Sequence, residues 1–377
     1  MKSCRGIGVM SGTSLDGIDL ADCSFRRDEQ PDRWSYEIHH AETLPYPTEW
    51  ETLLADLHRR SAEEYARTHV HYGRFLGERL AAFVSGNNLT PDFVASHGHT
   101  VFHQPEEHWT AQLGDGETTA AFLPCPLVAN FRNKDVALGG QGAPLVPVGE
   151  RELFSGCDLF LNLGGFANLT AGNTAFDVAP CNFVLNRLAR QADPDVRYDR
   201  DGALARSGAF SAGLFDKFES LDYYRRPPPK SLGREWLDTE LYPILDDANL
   251  SPVDVLHTFC RHVASQVEKA VANAGITDST IAVTGGGAFN TFLCECLREV
   301  LGARKISFRE VDFQTIAFKE ALIFAFLGLL VLRGEANTSA RVTGARTDAV
   351  CGSIHLPPTA QAGPPGKADR TQGNLPG

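Results

Sequence analysis

The 377-residue sequence predicts an α/β protein of two lobes with a cleft between them. Three observations predict it. The length suits about two domains better than one core. Two apolar strands, one at the N-terminus and one near residue 160, each turn back through a glycine-rich turn. Amphipathic helices and further strands follow each hairpin, the alternation that α/β layers need. At 43% hydrophobic and 22% charged residues the composition is that of an ordered globular chain.

In chain order, residues 5–10 read as a buried strand, 11–17 as a turn rich in Gly, Ser and Thr, and 18–25 as the returning strand. Residues 49–88 are helical in pattern. Residues 93–96 form a short strand entering His97-Gly98-His99. The Gly- and Pro-rich stretch 124–150 is the strongest loop signal and places a lobe boundary near 145. The second lobe, 146–352, restarts the plan. Strand 157–163 turns at Gly164 and Gly165 and returns over 166–170. A short strand ends at Asp177, and Pro180 opens a helix. Leu256, Phe259, Cys260, Val263, Val267 and Val271 share one face of a later helix that Gly275 stops. A strand over 280–284 enters Gly285-Gly286-Gly287. The apolar run 321–332 is too short to span a bilayer and reads as a buried helix. Residues 353–377, rich in Pro and Gly, read as a flexible tail.

The charge balance excludes some partners. Lys plus Arg is 35 against 47 for Asp plus Glu, a net charge of -12. Such a surface repels nucleic acid and anionic lipid, so neither is an expected partner. The nine cysteines are odd in number and form no CxxC pair, which fits reduced thiols in a cytoplasmic protein. The first ten residues lack the long apolar stretch of a signal peptide.

Three glycine turns follow strands: Gly12 to Gly17, Gly164-Gly165 and Gly285-Gly286-Gly287. Phosphates need close backbone approach and inward N–H groups, which side chains would block. None is a Walker loop or a Rossmann fingerprint. Thr13 and Ser14 supply hydroxyls in the first turn. Asp16 either caps that turn or approaches phosphates through Mg²⁺ and its waters.

These motifs closely resemble one family, the anhydro-N-acetylmuramic acid kinases of the hexokinase–actin–Hsp70 superfamily. The matching segments are GVMSGTSLDGID at 8–19, SHGHTVFH at 96–103, QLG at 112–114, FR at 131–132 and GGQGAPLVP at 139–147. NLGGFANLT at 162–170, PKSLGR at 229–234, GGGAFN at 285–290, KEA at 319–321 and TGA at 343–345 continue the series in family order. The resemblance implies an actin-like ATPase fold with duplicated ribonuclease H-like lobes. It implies ATP as donor, Mg²⁺, a sugar as substrate and a homodimer. The reaction it implies opens the 1,6-anhydro bridge of 1,6-anhydro-N-acetylmuramic acid with water and phosphorylates O6, giving N-acetylmuramic acid 6-phosphate and ADP.

The residue roles that follow are these. Asp177 is the catalytic base in the family reading, or a helix N-cap before Pro180 on sequence alone. Gly12, Thr13, Ser14, Leu15, Asp16, Gly17, Ile18, Asp19, Gly164, Gly165, Asn168, Gly285, Gly286, Gly287 and Asn290 are expected around ATP. Ser96, His97, Gly98, Arg132, Asn182 and Glu320 are expected around the sugar, with Arg132 facing its lactate carboxylate. Glu320 reads as the opening residue of the apolar helix. Zinc at His97, His99 and His103 is not expected, because His97 and His99 share a face only if the strand persists through Gly98. Three positions depart from the family pattern: Val178-Ala179-Pro180-Cys181-Asn182 replaces Thr-Gly-Pro-Gly-Asn, Asn130 replaces Asp, and His99 replaces Gln. All three are expected on the sugar side. They motivate two alternatives, a kinase for another anhydrosugar such as levoglucosan and a non-catalytic nucleotide-binding protein of the same fold.

Overall fold

In a computed structural model the described residues are 3–359, apart from Thr13, Ser14, Asp16, Gln30, Pro31, Asn173 and Pro229. Twelve strands are present among them: β1 Cys4–Ser11, β2 Ile18–Glu29, β3 Asp32–Leu44, β4 Phe93–Gln104, β5 Trp109–Leu113, β6 Leu127–Ala129, β7 Leu159–Leu163, β8 Phe166–Ala171, β9 Thr174–Pro180, β10 Ser279–Thr284, β11 Ile306–Arg309 and β12 Ser353–His355. They form two sheets. The first runs β12-β6-β4-β1-β2-β3, with β5 on β4, and the second runs β11-β10-β7-β8-β9.

The two sheets share one plan. In each, an antiparallel meander (β1-β2-β3 and β7-β8-β9) is extended from its first strand by parallel strands (β4 then β6, and β10 then β11). This is the duplicated two-lobed fold that the sequence predicts. Period-two alternation builds the first sheet. Ile18 and Leu20 face the core around helix Ala62–Gly86, while Ala21, Cys23 and Phe25 face helix Phe313–Arg333.

Helix Phe313–Arg333 is apolar all round because it is buried all round. It packs on β1, β2, β4 and β10, and its core cluster includes Phe160 and Ala282 from the second sheet. It is long and apolar enough to cross a membrane, but 72% of its most apolar window is buried inside the protein. At about 1.5–3 kcal/mol per fully buried large apolar side chain, the burial of this helix contributes substantially to stability. Contact with β1 is made backbone to backbone. A Cβ on Gly8 would lie 1.8 Å from the Ala321 carbonyl oxygen.

Several expectations need correction. The 49–88 segment is two helices, Thr48–Asp56 and Ala62–Gly86, the second restarted by a Ser61/Glu64 capping box. Strand β4 persists through Gly98, which takes φ +73°. Asp177 lies inside β9, not at its end, and the next helix, Asn182–Ala192, starts after Cys181. Asp177 is therefore no N-cap. Glu320 is not the first residue of its helix but sits two residues past a kink at Phe318 (φ −115°, ψ 20°). The lobes are not contiguous in sequence. Helix Phe313–Arg333 packs on the first sheet, and β12, inside the supposed tail, pairs with β6. The remainder of that tail, 360–377, lies outside the described residues.

Substituting Gly8→Ala forces β1 off this helix. Overpacking of this kind costs about 1–3 kcal/mol or more. Urea denaturation should show the midpoint falling.

Candidate active site

Two adjoining cavities occupy the cleft between the sheets. The larger, of about 900 Å³, is lined by Ser11, His97, Arg132, Glu150, Asp177 and Glu320 among others. The smaller, of about 380 Å³, is lined by Gly12, Gly17, Asp19, Gly164, Gly285 and Gly286 among others. Gly12, Asn162, Gly164, Gly165, Lys319 and Glu320 line both.

The smaller cavity is a glycine cradle. At Gly164 a Cβ would find no protein atom nearer than 3.5 Å, and at Gly286 none nearer than 3.4 Å, so it would project into the cavity. These glycines keep space open for a ligand. Gly285 and Gly287 are glycine for another reason: a Cβ would lie 2.4 Å from Asn162 Oδ1 or 2.7 Å from Leu163 Cβ. The cradle is set from below. The Asn182 amide donates to the Leu163 carbonyl at 2.9 Å, and the Asn182 and Cys181 N–H groups bind the Gly164 and Gly165 carbonyls. With those carbonyls occupied, the turn presents N–H groups, which suits phosphates. Asp19, bonded by Thr43 at 2.6 Å, is the described carboxylate at this end apart from Glu320. Its oxygen chemistry fits a water-bound Mg²⁺. Among the described residues no cluster of three or more metal-ligating side chains exists.

Asp177 is at the heart of the larger cavity. Its Oδ1 accepts from Asn168 Nδ2 at 3.2 Å and its Oδ2 from the Leu232 N–H at 2.9 Å. Its main chain is clamped by Tyr223 OH on its carbonyl and by Lys230 O on its N–H. Burial raises its pKa above the usual carboxylate value, against the two hydrogen bonds, which lower it. That poise suits a base. Leu232 belongs to the 229–234 motif and Tyr223 to none, and their hold on Asp177 is not legible in the sequence because they lie 55 and 46 residues away.

Arg132 and His97 form a fixed pair on the opposite wall. Arg132 Nε donates to His97 Nε2 at 2.9 Å, and Arg132 Nη1 donates to the Gly142 carbonyl at 2.6 Å. His97 Nε2 therefore accepts and Nδ1 carries the proton, donating to Gly98 O at 2.8 Å. Burial, then Arg132, holds the His97 pKa well below its usual value, so the ring is neutral. Burial pulls Arg132 down to about 10, opposed by Glu320 and Asp135. A partly buried guanidinium facing a cavity can pair with a carboxylate or a phosphate.

The structure thus brings together Gly12, Gly17, Asp19, Gly164, Gly165, Asn168, Gly285, Gly286, His97, Arg132, Asp177, Asn182 and Glu320. Two of these exchange ends: Asn168, expected at ATP, holds Asp177, and Asn182, expected at the sugar, sits under the glycine cradle. Others are not in the cleft. Ile18 is 1% exposed in the core, Leu15 packs against that core, and Gly287 packs on Leu163. Asn290 caps helix Thr291–Gly302 by accepting from Leu293 N–H at 2.9 Å. Ser96 and Gly98 line a separate cavity of about 330 Å³ behind β4. Thr13, Ser14 and Asp16 lie outside the described residues. The family departures are also misplaced by sequence reasoning. Val178 and Cys181 are buried in the second core, Asn130 is exposed at β12, and His99 is buried against Ser11. None lines the cleft. His99 and His97 take separate partners, and burial lowers the His99 pKa to about 4.

A duplicated α/β fold with a glycine cradle, an ionisable carboxylate and a buried arginine in one cleft defines a phosphotransferase-type site. A family model described as "Anhydro-N-acetylmuramic acid kinase" matches residues 4–357, and the chain belongs to that family. The relative from Francisella tularensis subsp. novicida, named anhydro-N-acetylmuramic acid kinase, is 32% identical over 93% of this chain and 98% of its own. The one from Shewanella amazonensis, of the same name, is 34% identical over 94% and 99%. Among solved structures, component A of (R)-2-hydroxyglutaryl-CoA dehydratase from Acidaminococcus fermentans is similar at a TM-score of 0.43 and 13% identity, over 85% of this chain and 96% of that one.

Two outcomes follow from the site. Gly286→Ala should fold normally and weaken nucleotide binding roughly tenfold, the loss of about one charge-assisted hydrogen bond; titration calorimetry with ADP checks it. For Asp177→Asn the sign follows from burial. A raised folded-state pKa means the folded protein holds this proton more tightly than the unfolded chain. Stability from this group then falls as pH rises through the window above the usual carboxylate value, and stays lower at neutral pH. Melting curves should show Asp177→Asn at least as stable as the wild type at pH 7, with the advantage shrinking toward pH 3.

Proposed function

We propose that this protein phosphorylates 1,6-anhydro-N-acetylmuramic acid with ATP while opening its anhydro bridge, yielding N-acetylmuramic acid 6-phosphate and ADP. The observation that carries the reading is Asp177: a half-buried carboxylate of raised pKa at one end of a cleft whose other end is the glycine cradle. Membership in the kinase family supports the same substrate class.

The chemistry needs one base. Asp177 takes a proton from a water that attacks the anomeric carbon. The bond from that carbon to O6 breaks, and O6 is freed as the nucleophile for the γ-phosphorus. The O6–phosphorus bond forms as the bond from phosphorus to the ADP oxygen breaks, and the proton taken by Asp177 passes to solvent as products leave. Asn168 and Leu232 N–H hold the carboxylate in place, each occupying one lone pair per oxygen. Arg132, fixed by His97, fits the lactate carboxylate. Glu320 accepts hydrogen bonds from sugar hydroxyls. Gly164, Gly165, Gly285 and Gly286 fit the phosphates, and Asp19 fits the outer sphere of Mg²⁺, which when bound offsets phosphate charge. A homodimer and a cytoplasmic setting belong to the same reading.

No family departure lies in the cleft, so nothing at the sugar wall favours levoglucosan over the muramic sugar, and the buried arginine favours an acidic sugar. Turnover in ¹⁸O-water, followed by mass spectrometry, should place label at the anomeric hydroxyl and phosphate on O6. Asp177→Asn should lose roughly 10²–10⁴-fold in kcat. In the wild type kcat/KM should fall as pH drops through a pKa above the usual carboxylate value, because the base must be ionised. Faster turnover of levoglucosan than of the muramic sugar would replace this substrate assignment.

A further inference from the structure

The kinase reading leaves unused the best-buried ion pair of the cleft. Lys319 Nζ lies 2.7 Å from Glu150 Oε1, with both side chains under 5% exposed. Glu150 Oε2 has no hydrogen-bond partner, so Lys319 is the group that balances this carboxylate. Neither residue was assigned a role from the sequence.

Their position is specific. Lys319 is the one described cationic side chain lining the nucleotide cavity, and it lines the sugar cavity too. The undescribed residues of the first turn, Thr13, Ser14 and Asp16, add no cation. The boundary between the cavities is where a phosphoryl group passing from nucleotide to sugar must stand. In a chain of net charge -12 that group needs a local positive charge. The pair is also rigid. Lys319 follows the kink at Phe318, and Glu150 is carried by helix Val146–Leu153, which packs so closely on helix Phe313–Arg333 that a Cβ on Gly149 would lie 2.7 Å from Ile323 Cγ2. A preorganised cation costs no rearrangement when charge develops.

We propose that Lys319 is a catalytic residue whose ammonium hydrogen-bonds the transferring phosphoryl group, with Glu150 as its positioning residue. During transfer the O6–phosphorus bond forms, the bond to the ADP oxygen breaks with its electron pair leaving on ADP, and Lys319 keeps its protons throughout. The inference rests on the kinase reading for the acceptor, but its own claim concerns the phosphoryl group alone.

Removing Lys319 by itself would strand Glu150, and breaking a buried pair is strongly destabilising. The test therefore uses the double variant Glu150→Gln/Lys319→Met, which is neutral and close in volume, beside Glu150→Gln. Binding of ADP and of ADP with aluminium fluoride, a mimic of the transferring phosphoryl group, is measured by calorimetry. The wild type should bind the mimic more tightly than ADP, and Glu150→Gln, which keeps the cation but not the carboxylate that positions it, should keep only part of that preference. The double variant should bind ADP within about threefold of wild type and lose the extra affinity for the mimic by ~10²-fold or more, with a similar loss in kcat. A double variant that keeps the mimic's advantage overturns the proposal, as does a wild type that binds both equally. A wild type that binds the mimic tightly yet does not phosphorylate the anhydro sugar removes the substrate assignment and leaves the Lys319 result readable.

Discussion

The constraint on which the rest depends is the burial of helix Phe313–Arg333 between the sheets. Gly8 against the Ala321 carbonyl and Gly328 against Ala95, neighbouring positions on one face of the first sheet, let the helix lie close on that sheet. That contact fixes β1, which carries Met10, Ser11 and Gly12 to the cleft, and it fixes the first turn past Phe318, which carries Lys319 and Glu320. Phe160 and Ala282 join its core from the second sheet. A close-packed helix held this way cannot shift by a fraction of an ångström without cost. The floor of both cavities is therefore set by apolar packing, and the polar groups inherit their precision from it.

Electrostatics then divides the labour within the cleft. The protein as a whole is acidic, so anionic ligands are drawn in only by local groups. Glycine turns line one end of the cleft, and Arg132 lines the other. Arg132 stays cationic in a buried place because Glu320 and Asp135 oppose the burial that lowers its pKa. His97 does the reverse. Burial and the neighbouring guanidinium keep it neutral, which makes it an acceptor that aims Arg132 rather than a competing cation. Asp177 is held by only two donors, few enough that burial prevails and the carboxylate remains basic.

Much of this architecture was legible because it rests on local rules. Hairpins declare themselves by apolar strands around glycine turns, and the meander-plus-parallel plan repeats in both halves. What misled were single residues whose roles depend on partners far along the chain. Asn290 reads as a nucleotide ligand in a glycine-rich motif but caps a helix. Asn168 reads as a phosphate contact but holds Asp177, because β8 pairs with β9 with a register shift beside it. The substitutions at Val178 and Cys181 read as changes to the sugar wall. In β9 alternate side chains face opposite ways, so Val178 falls into the core while Asp177 faces the cleft, and Cys181, just past the strand at the start of the next helix, is buried in the same core.

By itself the sequence determined the fold class, the glycine turns, the acidic surface and the family, since each is written in residue types at short spacing. Tertiary structure alone decided which sheet helix Phe313–Arg333 packs on, which asparagine holds Asp177 and which the glycine turn, and that Glu150 meets Lys319 across 169 residues. The physical reason is the same in every case. Backbone preferences act within a few residues, whereas burial and ion pairing act between surfaces that meet only when both sheets close around one helix.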